Sequence, residues 1–104
     1  MAQPVIWSAS TVEDLETVIS FIAKDSRHYA AAFSREALEA AVNLSKFHNR
    51  SRIVPEFALP DLRELFVRNY RLIYNVTGTE IQILGFIHGS RDLLSLWSSN
   101  PKLD

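Results

Sequence analysis

Apolar positions recur at intervals of three and four through the first half of the chain and at intervals of two through much of the second half. Val12, Leu15, Ile19 and Ile22 form one stripe, and Ala30, Phe33, Ala37, Leu38, Ala41 and Leu44 form another. Two amphipathic helices are therefore predicted, each with one face turned to a core. Ser10-Thr11-Val12-Glu13 has the spacing of a capping box, in which serine and glutamate satisfy each other's orphan amides at a helix start. Glu13, Asp14 and Glu16 then lie near the positive end of the helix dipole and Lys24 near its negative end. Asp25-Ser26 interrupts the pattern, and Ser26 can cap the second helix. No glycine occurs before Gly78 and no proline between Pro4 and Pro55, so nothing in this stretch opposes helix.

The alternating half reads as strands. Leu65 and Val67 alternate with Glu64, Phe66 and Arg68; Tyr70, Leu72, Tyr74 and Val76 alternate with Arg71, Ile73 and Asn75. Thr77-Gly78-Thr79 is a turn, and Glu80 to His88 is a further strand with Ile81, Ile83 and Ile87 on one face and Leu84 and Phe86 on the other. Val5-Ile6-Trp7 is a short first strand, expected at an edge or beside the last strand. Asn49 to Leu62, with Pro55 and Pro60, reads as a loop, and Arg91 to Trp97 as a short final helix or an extension. The predicted fold is α+β, in the order βααβββ: one domain over residues 1–104, with a two-helix hairpin packed on one face of an antiparallel sheet.

Composition narrows the function classes. The 104 residues are 47% hydrophobic and 22% charged, enough apolar surface to offset the entropy of ordering a single core. There is no cysteine, which excludes disulfides, thiolate metal sites and cysteine nucleophiles. His28, His48 and His88 are widely separated, so neither a metal site nor any other cofactor site is indicated. No apolar run approaches the roughly 20 residues that span a bilayer, and no secretory leader is visible, so a cytoplasmic location away from membranes is expected. The Asn-x-Ser/Thr matches at Asn43, Asn49 and Asn75 are then accidental. Net charge is −1, yet Lys46, Arg50, Arg52, Arg63, Arg68 and Arg71 gather six of the 11 basic residues between positions 46 and 71. That cluster is either a solvated, partly neutralised face or a surface for an anion or acidic partner.

Standard enzyme motifs are absent. What remains is Glu56 in the loop, Arg63 and Arg71 on strands, Tyr74 nearby and His88 at a strand end. These residue types could cleave RNA, with glutamate taking the 2′-hydroxyl proton, histidine protonating the leaving oxygen and arginines stabilising the phosphate. Structural roles compete with that reading. Arg71 can pair with Glu64 across the sheet, Glu56 can be a loop anion, His88 can be a hydrogen-bonding strand end, and Trp7 and Trp97 are expected as core anchors.

Six stretches carry a likeness that residue types alone do not. These are Val5-Ile6-Trp7-Ser8 leading into Asp14-Leu15; Ile22-Ala23-Lys24-Asp25-Ser26; Val54-Pro55-Glu56; Leu62-Arg63-Glu64-Leu65; Tyr70-Arg71-Leu72-Ile73-Tyr74; and His88-Gly89-Ser90-Arg91-Asp92. In order and spacing they resemble the RelE/ParE toxin superfamily, which includes plasmid stabilisation proteins. The resemblance implies the toxin half of a type II toxin–antitoxin module, held in a hetero-oligomer by a cognate antitoxin whose segment orders on binding. The superfamily divides. RelE-like and YoeB-like members cut mRNA on the ribosome, and ParE-like members bind DNA gyrase. The Leu-Arg-Glu-Leu, Tyr-Arg-Leu-Ile-Tyr and His-Gly-x-Arg-Asp wording is closer to the ParE-like side, and the modest charge agrees. In the alternative, a ribosome-dependent endoribonuclease, Glu56, Arg71 and His88 match the catalytic set, although Gly89 stands where that pattern has tyrosine. In either case Arg52, Arg63, Arg68, Tyr74 and Arg91 are the candidate contacts to RNA phosphate or to a protein target. The segment from Phe47 to Arg52 departs from the family pattern by lacking proline and glycine.

Overall fold

The computed structural model describes residues 2–97. Its elements run β1 (Val5–Trp7), α1 (Ala9–Ala23), α2 (Arg27–Phe47), a 3-10 turn at His48–Arg50, β2 (Arg52–Ile53), β3 (Leu62–Val67), β4 (Tyr70–Val76), β5 (Ile81–His88) and α3 (Leu93–Leu96). The strands lie in the order β1-β5-β4-β3-β2. All neighbours are antiparallel except β1, which runs parallel to β5 at the edge. The sheet is therefore mixed rather than wholly antiparallel: after the helical hairpin β2 runs against β1, and three further reversals bring β5 alongside β1 in the same direction. A fifth strand arises from β2, inside a segment read from sequence as loop.

Ser8 ends β1 and starts α1 at once. Its amide donates to the Ile83 carbonyl, and its hydroxyl accepts from the Thr11 amide at 3.1 Å. The cap thus lies two residues before the expected one, Ser10 lies inside the helix, and Val12 turns outward. Ser26 caps α2 as its position suggests, accepting from the Tyr29 amide at 3.0 Å. In α2 the buried stripe is Ala30, Phe33, Ala37, Ala41 and Leu44. Leu38, expected in that stripe, is 49% exposed, since it follows Ala37 by about 100° of helix rotation.

The sheet separates two apolar layers. On the helical face Leu15, Phe33, Ala37 and Leu44 pack on Val67, Leu72, Tyr74, Ile81, Ile83 and Phe86. Full burial of a ring such as Phe33 contributes about 1.5–3 kcal/mol. On the far face Val54, Leu62, Ile73, Leu84, Ile87, Leu93 and Trp97 form a second cluster with Phe57 against it. Trp97 stacks on Phe57 at 5.9 Å, while Trp7 is half-buried beside the helical layer.

A bulge in β5 sets which residue faces which layer. Ile73 pairs with Gly85 and Tyr74 with Ile83, so Leu84 is skipped. Beyond the bulge the alternation reverses: Phe86 joins Ile81 and Ile83 on the helical face, and Ile87 joins Leu84 on the far face. The sequence-based assignment had exchanged Phe86 and Ile87. Gly85 sits where an added Cβ would meet Trp97 Cζ2 at 3.0 Å, so the close approach of α3 requires glycine here.

Candidate functional site

On the far face four charged side chains alternate in sign. β2 sets Arg52 opposite Glu64, and Arg71 lies diagonal to Glu64 across β3 and β4. Glu64 accepts from Arg52 Nε on one oxygen and from Arg71 Nε on the other. Arg71 then forks onto Glu56, with Nη1 to Oε2 and Nη2 to Oε1 both at 2.7 Å. The Glu64 side chain is fully buried, Arg71 nearly so, Glu56 is 26% exposed and Arg52 57% exposed. This is the cross-strand pair of Arg71 and Glu64 foreseen from sequence, extended at both ends.

Local backbone brings Glu56 there. Val54 is buried in the far layer, its amide donates to the Leu62 carbonyl, and Ala58 returns to the Val54 carbonyl at 2.9 Å in a left-handed conformation. Glu56 at the crest of this turn meets Arg71. Hydrogen bonding from Arg71 holds the Glu56 carboxyl below its ordinary value, against an opposing effect of burial. The same fork raises Arg71 above the usual guanidinium value. A carboxylate held ionised this way is a weak proton acceptor.

His88 lies on the opposite face. It pairs with Tyr70 in the β4–β5 register, its ring meeting Tyr70 edge-on at 5.1 Å. Tyr70 in turn packs on Phe33 of α2 and stacks on Phe86, all on the helical side. Arg71, the next residue along β4, points the other way. His88 Nδ1 accepts from the Ser90 amide at 3.1 Å, which leaves the proton of the neutral ring on Nε2. Glu56 and Arg71 are brought together; His88 is divided from them by the sheet.

The remaining candidates fall into different settings. Arg63 donates to the Ser51 carbonyl at 2.7 Å. Arg68 occupies the two-residue β3–β4 turn at φ 56, forks onto Glu36 of α2 and donates to Tyr29 Oη at 2.7 Å. That fork lowers Glu36 and raises Arg68 from their ordinary values. Tyr74 is 0% exposed and donates to the His48 carbonyl at 2.7 Å, so it serves the core and offers no surface to a ligand. Burial pushes its phenol up. Arg91 is exposed and makes no ion pair among the described residues. Beside β2, Arg50 lies over Phe47 at 4.3 Å and Arg52 over Phe66 at 5.4 Å, with both rings exposed.

Two residues carrying this arrangement were not singled out as site residues in the sequence. Glu64 had a signal, an acidic residue in phase with Leu62 on a strand that must bury that face. Glu36 had none, because its partner is 32 positions away. Among the described residues no cluster of histidine, aspartate and glutamate could hold a metal, and no helix is long and apolar enough to cross a membrane.

A two-helix hairpin on an open mixed sheet, with Glu56 and Arg71 paired on one face and His88 on the other, defines a small α+β domain organised around surfaces. The chain belongs to the ParE toxin family: the family model described as the ParE toxin of type II toxin-antitoxin system, parDE, matches residues 5–93. It is thus the toxin component of such a module, and a cognate antitoxin is the partner that membership implies. A chain in a solved structure described as the chromosomal ParDE TA system from P. aeruginosa has the same fold. The two superpose with a TM-score of 0.69 at 20% identity, over 84% of this chain and 96% of that one. No curated protein matches the sequence.

Proposed function

We propose that this toxin acts by binding an essential protein target in the cytoplasm, DNA gyrase being the leading candidate, and not by cutting RNA. The observation that carries the reading is the division of Glu56 and Arg71 from His88 by the sheet. Cleavage at a ribose needs base and acid on either side of one phosphate, within hydrogen-bond reach of it. Here the glutamate is consumed by Arg71 and the histidine faces another layer. Exposed Arg50, Arg52, Phe47 and Phe66 beside β2, together with Arg63, form the docking surface favoured for the target. Cationic and aromatic side chains of this kind supply both steering and contact area.

Two measurements test the proposal together. Purified chain is expected to inhibit supercoiling by gyrase, and His88→Ala is expected to remain toxic when induced without antitoxin. Undisturbed gyrase combined with ribosome-dependent mRNA cleavage that His88→Ala abolishes would overturn it in favour of the nuclease.

A further inference from the structure

Charge is segregated across the described residues. The ladder on the far face, Arg52, Glu64, Arg71 and Glu56, is neutral as a unit, and Arg68 is taken by Glu36. Lys46, Arg50 and Arg63 enter no ion pair among the described residues, and between positions 46 and 71 Asp61 is the one carboxylate in the same condition. The opposite excess lies on α1, where Glu13, Asp14 and Glu16 are likewise unpaired among those residues. α1 packs over β5, and β4 and β3 separate β5 from β2 at the far edge of the sheet. A net charge of −1 thus conceals a basic edge at β2 and an acidic helix across the sheet from it.

At the basic edge the arginines rest on aromatic rings. The Arg50 guanidinium lies over Phe47 at 4.3 Å and that of Arg52 over Phe66 at 5.4 Å. Stacking engages the flat face of a guanidinium and leaves its N–H groups pointing outward in the plane. Arg52 commits Nε to buried Glu64, which fixes the head and leaves both Nη groups without a partner among the described residues. Two parallel N–H groups match the two oxygens of a carboxylate in a forked bond. Phe47, Ile53 and Phe66 are exposed among these cations and add apolar contact area. Such a mixture fits a protein segment in which carboxylates alternate with apolar side chains. It is a poorer fit to nucleic acid. Each ring already carries an arginine on one face, where a base would stack, and the carboxylates of α1 repel a polyanion.

We infer that the β2 edge receives an acidic segment of the protein target, its carboxylates forked onto Arg50 and Arg52 and its apolar side chains set against Phe47, Ile53 and Phe66. The inference rests on the reading of this chain as a target-binding toxin and adds the chemistry of the surface it meets. Acidic α1 is repelled by such a partner while the β2 edge is drawn to it, which orients the encounter.

The test measures direct binding of the full chain to purified gyrase free of DNA, with circular dichroism reporting the fold of each variant. Affinity is expected to fall about tenfold as ionic strength rises from roughly 0.05 to 0.3 M. Arg50→Glu is expected to weaken binding by roughly tenfold or more, and Arg50→Lys, which keeps the charge and loses the fork, by about threefold. Arg27→Glu makes the same charge change at the start of α2 and stays within about twofold of wild type. Should Arg50→Glu fail to fold, Arg50→Lys and the salt dependence decide the matter together. If the wild-type chain binds gyrase while salt and both Arg50 variants leave its affinity within about twofold, the inference fails and the gyrase reading stands. Binding of the wild-type chain to a short DNA duplex, lost in Arg50→Glu, would assign the edge to nucleic acid and also overturn the inference. If the wild-type chain does not bind gyrase at all, both readings fail.

Discussion

Arg71→Met tests whether the charged ladder on the far face is a structural lock. The substitution keeps the aliphatic bulk on β4 and removes three donated hydrogen bonds, two to Glu56 and one to Glu64. Removing one partner of a buried ion pair costs about 3–5 kcal/mol, because the other charge is left uncompensated. Two features place the expected loss toward the lower end. Glu56 is partly exposed and can turn to water, and Arg52 keeps its bond to one oxygen of Glu64. A loss of about 3 kcal/mol follows, which for a domain of this size lowers Tm by roughly 12 °C or more. Urea unfolding followed by tryptophan fluorescence reads it directly, since Trp97 stacks on Phe57 beside the loop that Arg71 anchors. The double substitution Arg71→Met with Glu64→Leu is expected to recover part of the loss, because the buried carboxylate goes too. A single-variant loss below about 1 kcal/mol would refute the lock, as would a double variant no more stable than the single one.

Three further outcomes are expected. The Glu56 carboxyl titrates below its ordinary 4.5, so its contribution is complete above that pH and is lost as pH falls through the depressed folded value. Acid unfolding curves should show Glu56→Gln less stable than wild type at neutral pH and the difference closing below about pH 4.5; a constant offset would contradict the pairing. Gly85→Ala must push the Trp97 ring aside and should cost about 1–3 kcal/mol, with altered tryptophan emission as the signature. Tyr74→Phe removes the bond to the His48 carbonyl and should cost about 1 kcal/mol while leaving toxicity intact. Reduced toxicity at unchanged expression and folding would instead restore Tyr74 to the binding surface.

The helices and main strands were legible because their periods are set by local geometry. Phe33, Ala37 and Leu44 announce a helix face wherever the helix lies, and Leu65 with Val67 announces a strand. What could not be read depends on events between distant segments. The skipped Leu84 is defined only by β4 alongside it, and it alone decides whether Phe86 or Ile87 meets the helices. Ser8 and Ser10 are both plausible caps in isolation; the bond from the Ser8 amide to Ile83 selects the first. The candidate chemistry suffered most. Glu56, Arg71 and His88 were identified by type and order, but strand parity separates Arg71 from His88, and parity across a bulge is not written in residue types. For Arg68, the sequence showed a cation in a basic cluster and gave no sign of the carboxylate of Glu36 that receives it.

The partition of the interior by the sheet has a bearing on how such a protein can diverge. Leu72 and Ile73 are neighbours in the chain yet fill different compartments, one roofed by the helical hairpin and the other by the loop at Val54 and by α3. A gap opened in one compartment cannot be closed by enlarging a side chain in the other, so compensating changes must arise within the same layer. Each layer also supports its own outer surface. The protein can therefore remodel the side presented to one partner while the side presented to another keeps its shape.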